Sequence, residues 1–191
     1  MNSIAVKQKL IDRAQEGDTR AVGRLYDDLF PGIYGFARMR LPTVQDTEDI
    51  VSETFLTMVK QLPGFEWKHR GGFEAWVFRI LRSKISNFYR ANGSQTEQVE
   101  EARETRTNEN SGIDVEGVVI LGELRASLID AIKSLQPRQE EVILLRYFGG
   151  LRNKDIAEVL GIEERTVSAH VSRGLNLLHD RVRNKGLKEA S

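Results

Sequence analysis

The sequence predicts an all-α protein: two small helical domains joined by a flexible acidic linker. Three observations predict it. Apolar residues recur at helical spacing almost throughout, and no stretch of useful length alternates as a strand would. Residues 93–118 are polar, with two basic and seven acidic side chains, and hold too little large apolar surface to offset the entropy of ordering them. The length of 191 residues suits one medium domain or two small ones.

Composition narrows the functional class. Charged residues are 29% and hydrophobic ones 40%, which is ordinary for a folded chain. No run approaches the roughly 18 apolar residues of a membrane span, and the N-terminus lacks a signal-peptide core. We therefore expect a cytoplasmic protein without membrane insertion. The absence of cysteine excludes disulfides, thiol catalysis and thiolate metal sites. His69, His170 and His179 are scattered and leave little for a histidine metal site, and no cofactor is expected.

The formal net charge of zero conceals two basic stretches. Residues 64–92 carry six basic and two acidic side chains, and residues 165–188 carry six basic ones against Asp180 alone. Two such stretches either side of an acidic segment suggest two contacts with a polyanion. Taken alone, the charge is explained equally well by solvated helix faces.

Each element has its own signals. Residues 4–16 form a short amphipathic helix ending at Gly17-Asp18. The next places Leu25, Leu29, Ile33 and Ala37 every four residues, with Pro31-Gly32 expected to kink or break it. Asp46 is expected to cap a third helix, whose face is Val51, Phe55, Met58/Val59 and Leu62 and which Pro63-Gly64 stops. A fourth begins near Phe73 and carries Trp76, Val77, Ile80, Leu81, Ile85 and Phe88. Beyond the linker, Leu121, Leu124, Leu128, Ile132 and Leu135 share one face. Pro137 opens the next helix, which runs through Val142, Leu145 and Phe148 to Gly149-Gly150. The domains are thus 1–92 and 119–185, with 93–118 as linker and 186–191 as tail.

The most specific motif is NKDIAEVLGIEERTVSAHVS, residues 153–172. Asn153 is placed to cap a helix with Ile156, Ala157 and Leu160 inward. Ala157 is small where a second helix crosses, and Gly161 supplies the tight turn. The second helix buries Val167, Val171, Leu175 and Leu178 and presents Ser168, Ala169, Ser172, Arg173 and Asn176. This is a helix-turn-helix pattern, and its exposed face suits a DNA major groove. An αα-hairpin with a polar face is the simpler alternative, and the small–glycine–β-branched spacing with a basic tail argues against it.

Residues 135–178 resemble region 4 of bacterial sigma factors, most closely those of the small extracytoplasmic-function group. Response regulators of the LuxR type share much of this pattern. The N-terminal half separates the two. DTEDIVSETFLTMVKQLPGF (46–65) is similar to sigma region 2.2, and GGFEAWVFRILRSKISNFYR (71–90) is similar to regions 2.3–2.4. Nothing in 1–92 suggests the βα units of a receiver domain. Ser83 stands where the family often has asparagine, Asn87 where aspartate is frequent, and the recognition face is lighter in arginine than in many members.

The resemblance implies an alternative sigma factor that binds core RNA polymerase and directs promoter-specific initiation. It implies docking on the polymerase through Asp49, Val51, Glu53 and Phe55. For the melted −10 element it implies Trp67, Lys68, His69, Arg70, Arg79, Arg82, Ser83 and Asn87. Of these, Trp67 lies outside any apolar stripe and is the better stacking platform, whereas Phe73 and Trp76 fall on the stripe and read as core. For the −35 duplex it implies Arg138, Lys154, Arg165, Thr166, Ser168, Ala169, Ser172, Arg173 and Asn176, with Arg173 suited to a bidentate contact to guanine. Promoter DNA and core polymerase are the expected partners, and the group adds an anti-sigma factor. An enzyme is the competing class, because Asp46, Glu48, Asp49 and Glu53 are carboxylates that could hold Mg²⁺. They crowd one short helical stretch with no second ligand segment, no phosphate-cradling glycine loop and no triad spacing.

Overall fold

The computed structural model describes residues 3–69, 71–92 and 128–189, with side chains from 5 to 181. Among them the regular elements are all helical. The first domain contains α1 (Ser3–Gln15), α2 (Thr19–Arg40), α3 (Val44–Gln61), a 3₁₀ turn (Leu62–Gly64) and α4 (Gly72–Ala91). A helical segment at 128–133 precedes α5 (Pro137–Tyr147), α6 (Asn153–Leu160) and α7 (Glu164–Glu189). The acidic segment 93–118, with Leu121 and Leu124, lies outside the described residues.

Helices α1 to α4 form a bundle in which α2 packs on α1, α3 and α4. Leu25, Ile33, Phe36, Met58, Phe73, Phe78 and Leu81 are all essentially inaccessible. Each such side chain contributes at most about 1.5–3 kcal/mol by burial. Gly17 adopts a positive φ of 91° and turns the chain into α2, whose N-cap Asp18 accepts from the backbone N–H groups of Arg20 and Ala21.

Two expectations about helix ends need correction. Helix α2 does not break at Pro31, which sits inside it. One backbone hydrogen bond is forfeited, but Leu25, Leu29, Ile33 and Ala37 on both sides of the proline share one buried stripe that holds the helix together. Helix α3 starts at Val44, and its cap is Thr43 rather than Asp46. Thr43 Oγ1 accepts from the Asp46 backbone N–H at 3.0 Å and donates to the Asp46 carboxylate at 2.6 Å. The carboxylate therefore supports the cap from the first turn.

The second domain packs α5 and α6 against α7 around Leu135, Val142, Leu144, Leu145, Ile156 and Val167. Gly161 caps α6 at φ 65°, which is the tight turn the motif requires. The predicted cap Asn153 is instead the first residue of α6, and Arg152 is the N-cap. Arg152 N–H and its guanidinium both donate to the Asp155 carboxylate. Asn153 Nδ2 donates across the turn to Ser168 Oγ at 2.9 Å, tying α6 to α7. Leu175, expected inward, is 39% exposed.

The two domains are in contact. Helix α6 lies on α4, and the apolar cores of both domains form one connected cluster. Phe148, just past α5, reaches α2 at Gly32 and Gly35.

Candidate nucleic-acid interface

The first domain's basic surface is built around the loop between the 3₁₀ turn and α4. Gln15 of α1 clamps the loop's start, its Nε2 donating to the carbonyls of Leu62 and Phe65 at 2.9 and 2.7 Å. Phe65 then meets Trp76 at 4.9 Å with the rings tilted by 39° and lies edge-on at 5.2 Å to Phe73. Gly71 at φ 85° turns the chain into α4. These constraints leave a cleft of about 220 Å³ lined by Gly64, Phe65, Glu66, Lys68, His69, Gly72, Trp76, Arg79 and Glu158. Its walls combine aromatic faces with cations, the chemistry that receives an unstacked base and its phosphate.

The aromatic assignment changes here. Trp67 is partly buried against the hydrophobic core and is not a wall of the cleft. Trp76, read from the sequence as core, is only partly buried and lines it; Phe73 is fully buried, as expected. The apolar stripe fixed the side of α4 that carries Trp76, but the stripe's edge borders the cleft. Lys68, Arg79, Ser83 and Asn87 are exposed, and Arg82 is half-buried. Arg70 lies outside the described residues.

On α3 the four expected docking residues divide. Asp49 and Glu53 are exposed one turn apart, with Glu53 Oε2 accepting from Lys84 Nζ at 3.1 Å. Val51 and Phe55 are 3% and 6% exposed and pack inward, so they hold the helix and have no surface to offer a partner. Leu56 at 60% and Val59 at 42% exposure flank the acids instead; of the Met58/Val59 pair on the expected stripe, Met58 is the buried one.

In the second domain the exposed face of α7 carries Arg165, Ser168, Ser172, Arg173 and Asn176, with Thr166 and Ala169 half-buried along its edge. Lys154 is exposed on α6. Ser168 Oγ is engaged by Asn153 and by the carbonyl of Glu164. Arg165 pairs with Glu163 at the surface, and Arg138 donates to Glu141 at 3.1 Å. His170 is half-buried with Nδ1 lacking a hydrogen-bond partner; burial, then the cations Arg173 and Arg138, hold its pKa below the ordinary imidazole value.

The basic residues of the first domain meet acids of the second. Glu158 of α6 accepts from Arg79 Nη1 at 2.7 Å and lies 2.9 Å from His69 Nε2. Burial pushes the Glu158 carboxyl up, but the bonds from Arg79 and His69 outweigh it and leave its pKa lowered. Arg82 Nε donates to Glu141 at 2.7 Å, and its Nη1 donates to the Val159 carbonyl at 2.9 Å, at the C-terminal end of α6. No sequence signal marked Glu141 or Glu158, since acids on a helix read as solvated.

Comparison with known proteins agrees with this architecture. Residues 25–95 match the model of sigma-70 region 2, and residues 125–178 match that of sigma-70 region 4. The chain is 30% identical over 175 residues to the extracytoplasmic-function sigma factor BldN of Streptomyces coelicolor, covering 89% of this chain and 63% of that protein's length. It is 26% identical over 186 residues to SigW of Bacillus subtilis, covering 93% of this chain and 97% of that one. The solved structure of CnrH in complex with the cytosolic domain of CnrY shares the fold, with a TM-score of 0.63, 22% identity and coverage of 93% and 97%. So does the sigma factor RpoE in complex with the anti-sigma factor NepR from Bartonella quintana, at a TM-score of 0.61, 21% identity and coverage of 84% and 96%. The chain belongs to the sigma-70 family of transcription initiation factors, in its extracytoplasmic-function group. Its function is that of an alternative sigma factor, directing promoter-specific transcription with core RNA polymerase. Among the described residues no helix is long and apolar enough to cross a membrane.

Proposed function

We propose a division of promoter recognition between the two surfaces. The cleft over Phe65 and Trp76 receives an unpaired base of the melted −10 strand, while Lys68, His69, Arg79 and Arg82 hold its backbone. The exposed face of α7 reads the −35 element as duplex, with Arg173 on a base edge and Lys154 and Arg165 on phosphates. Asp49 and Glu53, flanked by Leu56 and Val59, dock on core polymerase. The observation that carries this reading is the pairing of an aromatic, cationic cleft in one domain with a polar helix-turn-helix face in the other. Two such unlike sites on one chain suit a single-stranded and a double-stranded target. Because the similar RpoE of Bartonella quintana is solved in complex with the anti-sigma factor NepR, a partner of that kind is proposed for this chain as well.

The test is run-off transcription with core polymerase over a promoter library, with permanganate footprinting of the melted region. Trp76→Ala is expected to leave −35 duplex binding intact and reduce opening, since stacking on an unpaired base contributes about 1–3 kcal/mol. Arg173→Ala is expected to cost about 1–3 kcal/mol and relax preference at one duplex position. Normal melting by Trp76→Ala would remove the cleft from strand capture.

A further inference from the structure

The loop that shapes the cleft is held at both ends by one helix outside it. Lys7, Ile11 and Gln15 follow each other at four-residue spacing, so they share one face of α1. Ile11 is 1% exposed and fastens that face to the core. At one end of the face, Gln15 Nε2 donates to the carbonyls of Leu62 and Phe65, where the loop begins. At the other, Lys7 Nζ pairs at 2.5 Å with Glu74 in the first turn of α4, where the loop ends. The helix from residue 7 to residue 15 sets these anchors about 12 Å apart, a length that a helix keeps and a loop does not.

Both anchors act on the walls of the cleft, and neither Lys7 nor Gln15 is itself a wall. The Phe65 carbonyl is bonded to Gln15, so that bond fixes the residue whose ring meets Trp76 and Phe73. The Leu62 carbonyl accepts from the Phe65 N–H at 3.0 Å as well as from Gln15, which closes the 3₁₀ turn from two sides. Glu74 is half-buried and its Oε2 lacks a hydrogen-bond partner, while its other oxygen takes the Lys7 ammonium. Lys7 and Gln15 precede residues 25–95, the part of the chain that matches sigma-70 region 2.

We propose that α1 is a splint for base selection: Gln15, and Lys7 to a smaller degree, are positioning residues that set which unpaired base the cleft accepts. This rests on the reading of the cleft as the site of a −10 base. A binding pocket discriminates only while its groups are held within about 0.5 Å of their productive places by contacts behind them. Gln15 is such a contact for Phe65. Without its donor the Phe65 ring shifts against Trp76, and the cleft takes bases with less distinction.

Run-off transcription by the full-length protein with core polymerase, over a promoter library, reads the base preference at each position. Gln15→Met keeps side-chain length and helix propensity but removes the donor, whereas Gln15→Lys keeps a donor at similar reach. Gln15→Met is expected to lower discrimination several-fold at one −10 position, with the −35 preferences and the helical circular dichroism unchanged. Gln15→Lys is expected to keep the parent's discrimination, and Lys7→Met to show a smaller loss at the same position. Parent-like −10 preferences in Gln15→Met overturn the splint. Equal losses in Gln15→Met and Gln15→Lys overturn it too, because the donor is then irrelevant, and so does a loss spread evenly over −10 and −35 positions. Trp76→Ala separates the splint from the reading of the cleft. If Trp76→Ala leaves every −10 preference intact, the cleft is not the base site and the splint's purpose falls with it. If it flattens a −10 position that Gln15→Met leaves intact, the splint alone falls.

Discussion

Among the described residues, the first domain buries Phe36, Phe73, Phe78 and Met58 with Thr47 and Thr54 as its buried polar residues, whereas the second buries Gln139, Glu140, Glu141 and Asp155 beside its leucines and valines. The threonines satisfy themselves inside their own helix, Thr47 Oγ1 donating to the Thr43 carbonyl and Thr54 Oγ1 to the Ile50 carbonyl. The acids depend on cations, and two of those belong to the other domain: Arg82 for Glu141, and Arg40 at 3.9 Å from Glu140. A carboxylate removed from water without a partner is costly. The first domain is therefore complete in itself, while the second is at its best when docked.

The strongest way to break the comparison is Phe78→Ala. Phe78 is 1% exposed, meets Phe36 edge-on at 5.6 Å and forms the floor beneath Gly149. Truncation is expected to cost about 3–5 kcal/mol in the first domain's urea transition and to loosen docking as well. Next in size is Arg82→Ala, which leaves Glu141 with Arg138 alone and the Val159 carbonyl without its donor. A loss of about 1–3 kcal/mol is expected, appearing as faster amide exchange in α5 and α6 although the substitution lies in α4. Exchange altered only in α4 would mean that the second domain satisfies its acids without the first.

The smallest effect sharpens the comparison by pH. His170 has a lowered pKa, caused by burial and then by Arg173 and Arg138. As pH falls through the ordinary histidine value of 6.5, the unfolded chain takes up a proton before the folded one does. Stability of the second domain is expected to be level above that pH and to decline below it, until the folded His170 also protonates. Thermal melts at stepped pH, with His170→Gln as the control that flattens the decline, measure it.

Much of the fold was legible because its signals are local. The four-residue recurrence of Leu25, Leu29, Ile33 and Ala37, the turn at Gly17-Asp18 and the glycine at 161 each act within a few residues of themselves. Cap positions were less legible: Thr43 and Arg152, rather than Asp46 and Asn153, begin their helices. In both cases the acid at the third helical position, Asp46 or Asp155, supports the cap that precedes it, while Asn153 is turned to Ser168 instead. The candidate site was legible in its cations and recognition face, but not in its aromatic wall. A stripe says that Trp76 lies toward the apolar side of α4 without saying where that side ends.

The sequence by itself determined the helices, the helix-turn-helix and the kinship with sigma factors, since periodicity, turn glycines and motif spacing are written along the chain. Only the tertiary structure decided that Trp76 rather than Trp67 lines the cleft, that Gly32 and Gly35 make room for Phe148, and that Arg82 and Arg79 rest on acids 59 and 79 residues away. The physical reason is the same for all three. A helical pattern specifies which face is buried but not against what, and a charge has the same appearance in a sequence whether water or an opposing carboxylate faces it.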